Sequence, residues 1–224
     1  SVEITGTGGS DLIRLEKDAK STVNAGAGHD TVRGSQVNDL IHGGDGNDYV
    51  RGGRGNDIVY GDAGNDRVTG GKGNDTLHGG DGHDFLFGGA GTDIMFGGSG
   101  DDIFYLKDAL DPSIGDFRTI VDTADIIKDF EQGQDKIRVG TKEHVIYQNV
   151  TVGGTDTYTL IFGLKDEGGT HVRGIIEGDV DLTRSDFKNA RSVAEIDAVS
   201  VDAWPDDSHE LPELLSPVGD AGII

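Results

Sequence analysis

Seven aspartates recur at an interval of nine residues: Asp48, Asp57, Asp66, Asp75, Asp84, Asp93 and Asp102. Each closes a six-residue stretch close to GGxGxD. A carboxylate beside exposed turn carbonyls is the donor set of a hard divalent cation. Oxygens at roughly 2.3 to 2.6 Å suit calcium better than magnesium. Two residues after each aspartate stands an apolar side chain: Val50, Val59, Val68, Leu77, Leu86, Met95 and Phe104. An acid and an inward apolar group in fixed phase exclude a flexible glycine linker, which keeps neither.

The elements that position these groups follow from the period. Residues 43 to 105 read as seven units, GGDGNDYVR, GGRGNDIVY, GDAGNDRVT, GGKGNDTLH, GGDGHDFLF, GGAGTDIMF and GGSGDDIFY, in one frame without a gap. Such a repeat is a solenoid unit that buries its apolar face by stacking on the next. Three glycines in six positions would cost roughly 1 kcal/mol each in a helix, so GGxGxD is expected to be turn, outside any strand. The last three residues suffice for a short strand with its middle side chain inward. Two units make one coil of about eighteen residues, and strands of successive coils pair in parallel as two thin sheets. Asp48, Asp66, Asp84 and Asp102 then stack on one edge, with Asp57, Asp75 and Asp93 on the other. Neighbours about 4.8 Å apart repel unless a cation separates them.

The pattern GGxGxDxUx, with U apolar, resembles the RTX repeat of type I-secreted bacterial proteins. That resemblance implies an all-β fold, a calcium-bound parallel β-roll forming a right-handed solenoid. It also implies several Ca2+ ions held by the carbonyls of positions one to four and the carboxylate of position six. Those residues are Gly43, Gly44, Asp45, Gly46 and Asp48, then Gly52, Gly53, Arg54, Gly55 and Asp57. The third and fourth units supply Gly61, Asp62, Ala63, Gly64 and Asp66, then Gly70, Gly71, Lys72, Gly73 and Asp75. The last three supply Gly79, Gly80, Asp81, Gly82 and Asp84, Gly88, Gly89, Ala90, Gly91 and Asp93, and Gly97, Gly98, Ser99, Gly100 and Asp102. Asp62 stands where the second glycine belongs.

Upstream the repeat decays. Units at 34–42, 25–33 and 6–14 keep Asp39 with Ile41, Asp30 with Val32, and Asp11 with Ile13, while 16–24 keeps only Val23 after an extra residue at Leu15. The roll is expected from residue 4, with Asp30 and Asp39 as further ligands and Asp11 a doubtful one. The expected division is a roll over 1–105 (regular 43–105, degenerate 4–42), a β-rich cap over 106–189 and an acidic, mostly disordered tail over 190–224. Strand-like runs lie at 118–122, 136–139, 144–152, 157–164 and 171–177, with Gly-Gly turns at 153–154 and 168–169. The cap is expected to cover outward Phe85, Phe87, Phe96 and Tyr105. GGSGDDIFYL, DIIKDFEQGQDKI and DLTRSDF are similar to the segments after the repeats in mannuronan C5-epimerase R-modules and serralysin-type proteases. That likeness implies a terminal calcium site closed by Asp111 and Asp125, and a secretion signal in the tail.

The chain of 224 residues carries 19 Lys+Arg against 41 Asp+Glu, a net charge of −22, with 38 glycines and no cysteine. Disulfides and zinc–thiolate sites are excluded. No run of 18 apolar residues marks a membrane helix, and no nucleic-acid partner is expected. Neither HExxH nor GxSxG occurs; His42, His78 and His83 fall at variable repeat positions and read as surface residues. The chain is therefore expected to be a non-catalytic, monomeric piece of a longer secreted, extracellular protein. Its partners are expected to be calcium and the type I secretion machinery. Arg33, Tyr49, Arg51 and Arg67 form an outward basic and aromatic stripe suited to an anionic polysaccharide such as alginate. The alternative is the C-terminal folding domain of an RTX protease, lipase, toxin or adhesin with no carbohydrate binding.

Overall fold

The computed structural model describes residues 1–16, 18–106, 124–139, 144–152, 156–164, 170–178, 180, 182–188, 190 and 192–201. Successive repeats alternate between two sheets. The first carries β1 (Val2–Thr5), β3 (Ser21–Asn24), β5 (Leu40–Asp45), β7 (Ile58–Ala63), β9 (Thr76–Asp81) and β11 (Ile94–Ser99). The second carries β2 (Leu12–Arg14), β4 (Thr31–Arg33), β6 (Tyr49–Arg54), β8 (Arg67–Lys72), β10 (Phe85–Ala90) and β12 (Ile103–Tyr105). All these neighbours pair in parallel. The architecture is an all-β parallel roll.

Register follows the position-eight residues. Ile4, Val23, Ile41, Val59, Leu77 and Met95 pair in sequence along the first sheet. Ile13, Val32, Val50, Val68, Leu86 and Phe104 do so along the second. From Val23 to Phe104 each of these is 0 % exposed. Burying one such side chain contributes about 1.5–3 kcal/mol, so the interior column is the main apolar stabilisation of the roll.

The first strand, Val2–Thr5, contains the start expected near residue 4, but two other expectations give way. Strands of the regular repeats run six residues and take in positions one to three of the next turn. The glycines there still pair, as Gly53 with Gly71 and Gly80 with Gly98, because a residue without Cβ bends the strand without breaking its ladder. Neither sheet ends at Tyr105. β13 (Ile126–Ile127) pairs with β11 and β14 (Lys136–Arg138) with β12, both in parallel, and Ile127 and Ile137 continue the buried column.

Beyond them the first sheet changes character. β15 (His144–Val152), β16 (Asp156–Leu164) and β17 (Thr170–Glu177) form an antiparallel meander whose β17 pairs in parallel with β13. β18 (Phe187–Lys188) prolongs the second sheet beside β14. β14, β15, β16 and β17 match four of the runs seen in the sequence, and the strands beyond β12 extend the sheets end-on. Phe85, Phe87, Phe96 and Tyr105 are only half-buried. The tail expected to be disordered instead opens with β19 (Ser192–Val201), parallel to β15. The run at 118–122, Asp111, both Gly-Gly turns and residues 202–224 lie outside the described residues.

Candidate metal centre

Each position-six aspartate is fixed by the coil before it. Its Oδ1 accepts the backbone N–H of the aspartate one coil earlier: Asp30 to Asp48, Asp48 to Asp66 and Asp66 to Asp84 at 2.7–2.8 Å. On the other edge Asp39 donates to Asp57, Asp57 to Asp75 and Asp75 to Asp93, each at 2.8 Å. The expected two stacks are therefore continuous hydrogen-bonded columns. They also incorporate the chain beyond the repeats, since Asp93 N–H donates to Asp125 at 3.0 Å and Asp102 N–H to Asp135 at 2.9 Å.

The second oxygen is the informative one. Oδ2 of Asp30, Asp48, Asp57, Asp66, Asp75, Asp84 and Asp102 is buried and accepts no hydrogen bond, and these residues are 0–4 % exposed. An uncompensated buried charge costs about 3–5 kcal/mol, against a typical net stability of about 5–15 kcal/mol for a whole domain. Seven such oxygens need protons or a cation to offset them. Burial pushes the carboxyls of Asp57 and Asp84 up to about 7. It pushes those of Asp66, Asp75 and Asp102 up to about 6. In each case the accepted backbone amide pulls only partly the other way.

The glycines build the space around that oxygen. A Cβ on Gly43 would stand 2.7 Å from Oδ2 of Asp48 and 2.6 Å from the carbonyl oxygen of Gly61. Glycine at position one thus lets a carboxylate and a main-chain carbonyl share one cradle in that unit, whereas Ala25 holds the same position before Asp30. Positions two and four lie in the left-handed region, Gly44 at φ 102° and Gly46 at 129°, and the later units follow suit. Asp62 takes the same conformation at φ 76°, the one non-glycine with positive φ among the described residues, and its carboxylate meets His42 Nδ1 at 3.1 Å. No three His, Asp or Glu side chains converge on one point among the described residues. The donors beside each carboxylate are therefore main-chain oxygens, as hard calcium coordination allows. At position three they are partly engaged already: the carbonyls of Asp45, Ala63, Lys72, Asp81, Ala90 and Ser99 each accept the N–H of a position-four glycine one coil earlier, at 2.7–2.9 Å.

Asp39 does not fit this set. Its Oδ1 accepts Ser21 N–H and its Oδ2 accepts Ser35 N–H, both at 2.8 Å, which satisfies both oxygens. Asp11 is closed likewise, its Oδ2 accepting the backbone N–H of Thr7 at 2.6 Å.

Two features escaped the sequence reading. Asp135 occupies a ladder position, 1 % exposed, with its carboxyl raised chiefly by burial. Its signal was Gly133, Asp135 and Ile137 at positions four, six and eight of FEQGQDKIR. Position five carries a second ladder, on the surface. Asn38, Asn47, Asn56 and Asn65 each accept, through Oδ1, the N–H of the position-five residue one coil later, at 2.8–3.0 Å. His29 and His83 do so through Nδ1.

The outward stripe lies on the second sheet. Arg33 pairs in register with Arg51, and Tyr49 with Arg67; the three arginines are exposed and the tyrosine half-buried. The Arg67 guanidinium carbon lies 4.5 Å from the centroid of Phe85 and 5.8 Å from that of Tyr49. Tyr49 thus holds a cation rather than presenting a free ring.

No curated protein matches the chain. Among solved structures, the solution structure of the AlgE6R3 subunit of the Azotobacter vinelandii mannuronan C5-epimerase is 26 % identical. That match has a TM-score of 0.43 and covers 80 % of this chain and 94 % of that one. The family described as RTX calcium-binding nonapeptide repeat (4 copies) matches at residues 21–41, 33–68, 42–77 and 69–104. Residues 21–104 are thus an array of RTX calcium-binding nonapeptide repeats.

Proposed function

We propose that the chain is a calcium-dependent, non-catalytic folding module of a secreted protein. The observation that carries this reading is the set of seven buried Oδ2 atoms without a hydrogen-bond partner, with a main-chain carbonyl at hand beside those of Asp48, Asp66, Asp75 and Asp84. Without cations the acidic columns repel and the chain stays open, a form suited to passage through a type I secretion channel. Where calcium reaches the 10⁻⁴ to 10⁻³ M range of extracellular sites, ion binding becomes folding free energy. The residues that would hold the ions are Asp30, Asp48, Asp57, Asp66, Asp75, Asp84 and Asp102 with neighbouring turn carbonyls; Asp93 and Asp125 continue the second column, and Asp111 remains part of the proposed terminal site. Circular dichroism during a calcium titration tests this, with β signal appearing on addition. A full β spectrum in excess chelator would refute it.

A second reading concerns an anionic polysaccharide such as alginate lying across the second sheet. Its support is the charge pattern: Arg14, Arg33, Arg51, Arg67, Lys136 and Arg138 stand on strands whose outward positions hold no acid, in a protein of net charge −22. Guanidinium groups pair well with sugar carboxylates. Calorimetry with alginate oligomers in calcium checks it. Binding should weaken as salt rises and fall in an Arg51→Ala/Arg67→Ala variant; unchanged heat in that variant would leave the face without this role.

A further inference from the structure

Open and closed carboxylates sort by one residue. Every aspartate with an unpartnered Oδ2 follows a position-two residue with positive φ: Gly26, Gly44, Gly53, Asp62, Gly71, Gly80 and Gly98, at φ values from 76° to 132°. Three ladder aspartates have another residue there, Thr7, Ser35 and Glu131, none of which has positive φ. In those turns the position-two N–H points inward and donates to Oδ2: Thr7 to Asp11 at 2.6 Å, Ser35 to Asp39 at 2.8 Å and Glu131 to Asp135 at 2.8 Å. Thr7 and Ser35 secure the conformation in one way, each hydroxyl accepting an N–H two residues on at 3.2 Å.

The chemistry follows from the direction of that amide. An oxygen that already accepts an N–H has the positive end of a peptide dipole where a cation would have to sit. Left-handed backbone at position two turns the same amide away and leaves the oxygen bare. Residues with a Cβ resist that conformation, so its retention at Asp62 shows that the turn requires it there. His42 holds the Asp62 side chain.

We propose that position two decides whether a turn takes an ion. Turns with a left-handed residue there are calcium sites, whereas the Asp11, Asp39 and Asp135 turns close on their own amide and hold without metal. The closed turns stand at the ends of the columns. Asp11 and Asp135 bracket the column from Asp30 to Asp102, and Asp39 precedes Asp57. The first ion column therefore ends at both extremities in rungs that need no ion, and the second begins with one. This rests on the calcium reading above and adds which aspartates are exempt from it.

Calorimetric calcium stoichiometry of the full chain tests the proposal. Ser35→Gly should free the Asp39 carboxylate and add about one ion per chain, while Asp39→Ala should leave the stoichiometry unchanged and Asp75→Ala should lower it. An unchanged count in Ser35→Gly, or a loss in Asp39→Ala equal to that in Asp75→Ala, overturns it. Should Asp39→Ala fail to fold, Ser35→Gly still decides. A wild-type chain that takes up no calcium would fell the calcium reading together with this one, and would show it before any variant is made.

Discussion

The roll and the meander that follows it solve the same problem by opposite means. In the roll, parallel strands of six residues or fewer are joined by turns whose aspartates lie in register, so the edges concentrate acidic groups that need an offsetting cation or proton. In β15, β16 and β17, strands of eight and nine residues pair antiparallel, with Val145, Tyr147, Leu160, Ile161, Ile175 and Ile176 at most 2 % exposed. Among the described residues, nothing in that meander resembles the orphaned carboxylates of the roll. Length of strand and apolar burial do there what the proposed ions would do in the repeats. On that proposal the chain joins a region whose stability is conditional on its surroundings to one held by its apolar strands.

The largest test of that contrast is metal removal. In excess chelator the amides of Gly43 to Tyr105 should lose hydrogen-exchange protection while those of β15–β17 keep a substantial part of theirs. Simultaneous loss in both would show that the meander depends on the roll for its order. Acid should act on the same carboxylates with the opposite sign. Their carboxyls are raised from 3.8 to about 6 or 7, so the ion-free fold binds protons more tightly than the open chain. Its protonic stabilisation is full below about pH 4 and is lost as the pH rises through 6 to 7. The metal-free protein should therefore gain β signal on acidification, and the calcium midpoint should move to higher concentration below pH 7. Circular dichroism at stepped pH checks both.

A core substitution sharpens the comparison from the other side. Leu77 is wholly buried in the column between Val59 and Met95, and Leu77→Ala should cost about 2–5 kcal/mol in saturating calcium. Denaturant melts at fixed calcium measure it. A loss confined to the calcium affinity, with stability at saturation unchanged, would mean that the apolar column contributes little. Smaller differences are expected within the carboxylate ladder. Asp66 lies between two open neighbours, Asp48 and Asp84, whereas Asp30 adjoins the closed turn of Asp11. Asp66→Ala should lower calcium affinity and cooperativity more than Asp30→Ala; equal effects would deny the stacked register.

What the sequence disclosed is what its period fixes. An inward residue must recur at the coil length, so Val50 through Phe104 and the aspartates two places before them are readable without coordinates. Strand length was not, because glycine is scored against strands although Gly53 and Gly71 pair perfectly well once no Cβ intervenes. Asp135 was overlooked because only three positions of its unit survive, and the Ser35 N–H that meets Asp39 was not foreseen because its aspartate matches while Ser35 looks like a harmless change. β19 follows a composition that reads as disorder, and its pairing with β15 is a long-range contact that no local pattern announces. Local repetition is legible; the direction of a single peptide N–H is not.

The smallest expected effect concerns the asparagine ladder, which the roll possesses and the meander lacks. Asn56 accepts the N–H of Asn74 at 3.0 Å and donates its own N–H to Asn38 at 2.8 Å, all on the exposed surface. Removing the side chain in Asn56→Ala deletes one acceptor and leaves the Asn74 amide to water, which can satisfy it. The cost should be about 0.5–1.5 kcal/mol, well below that of Leu77→Ala and without change in calcium stoichiometry. Thermal melts in saturating calcium measure it. A loss as large as that from Leu77→Ala would mean that the surface ladder, rather than the apolar column and the ions, sets the spacing of the coils.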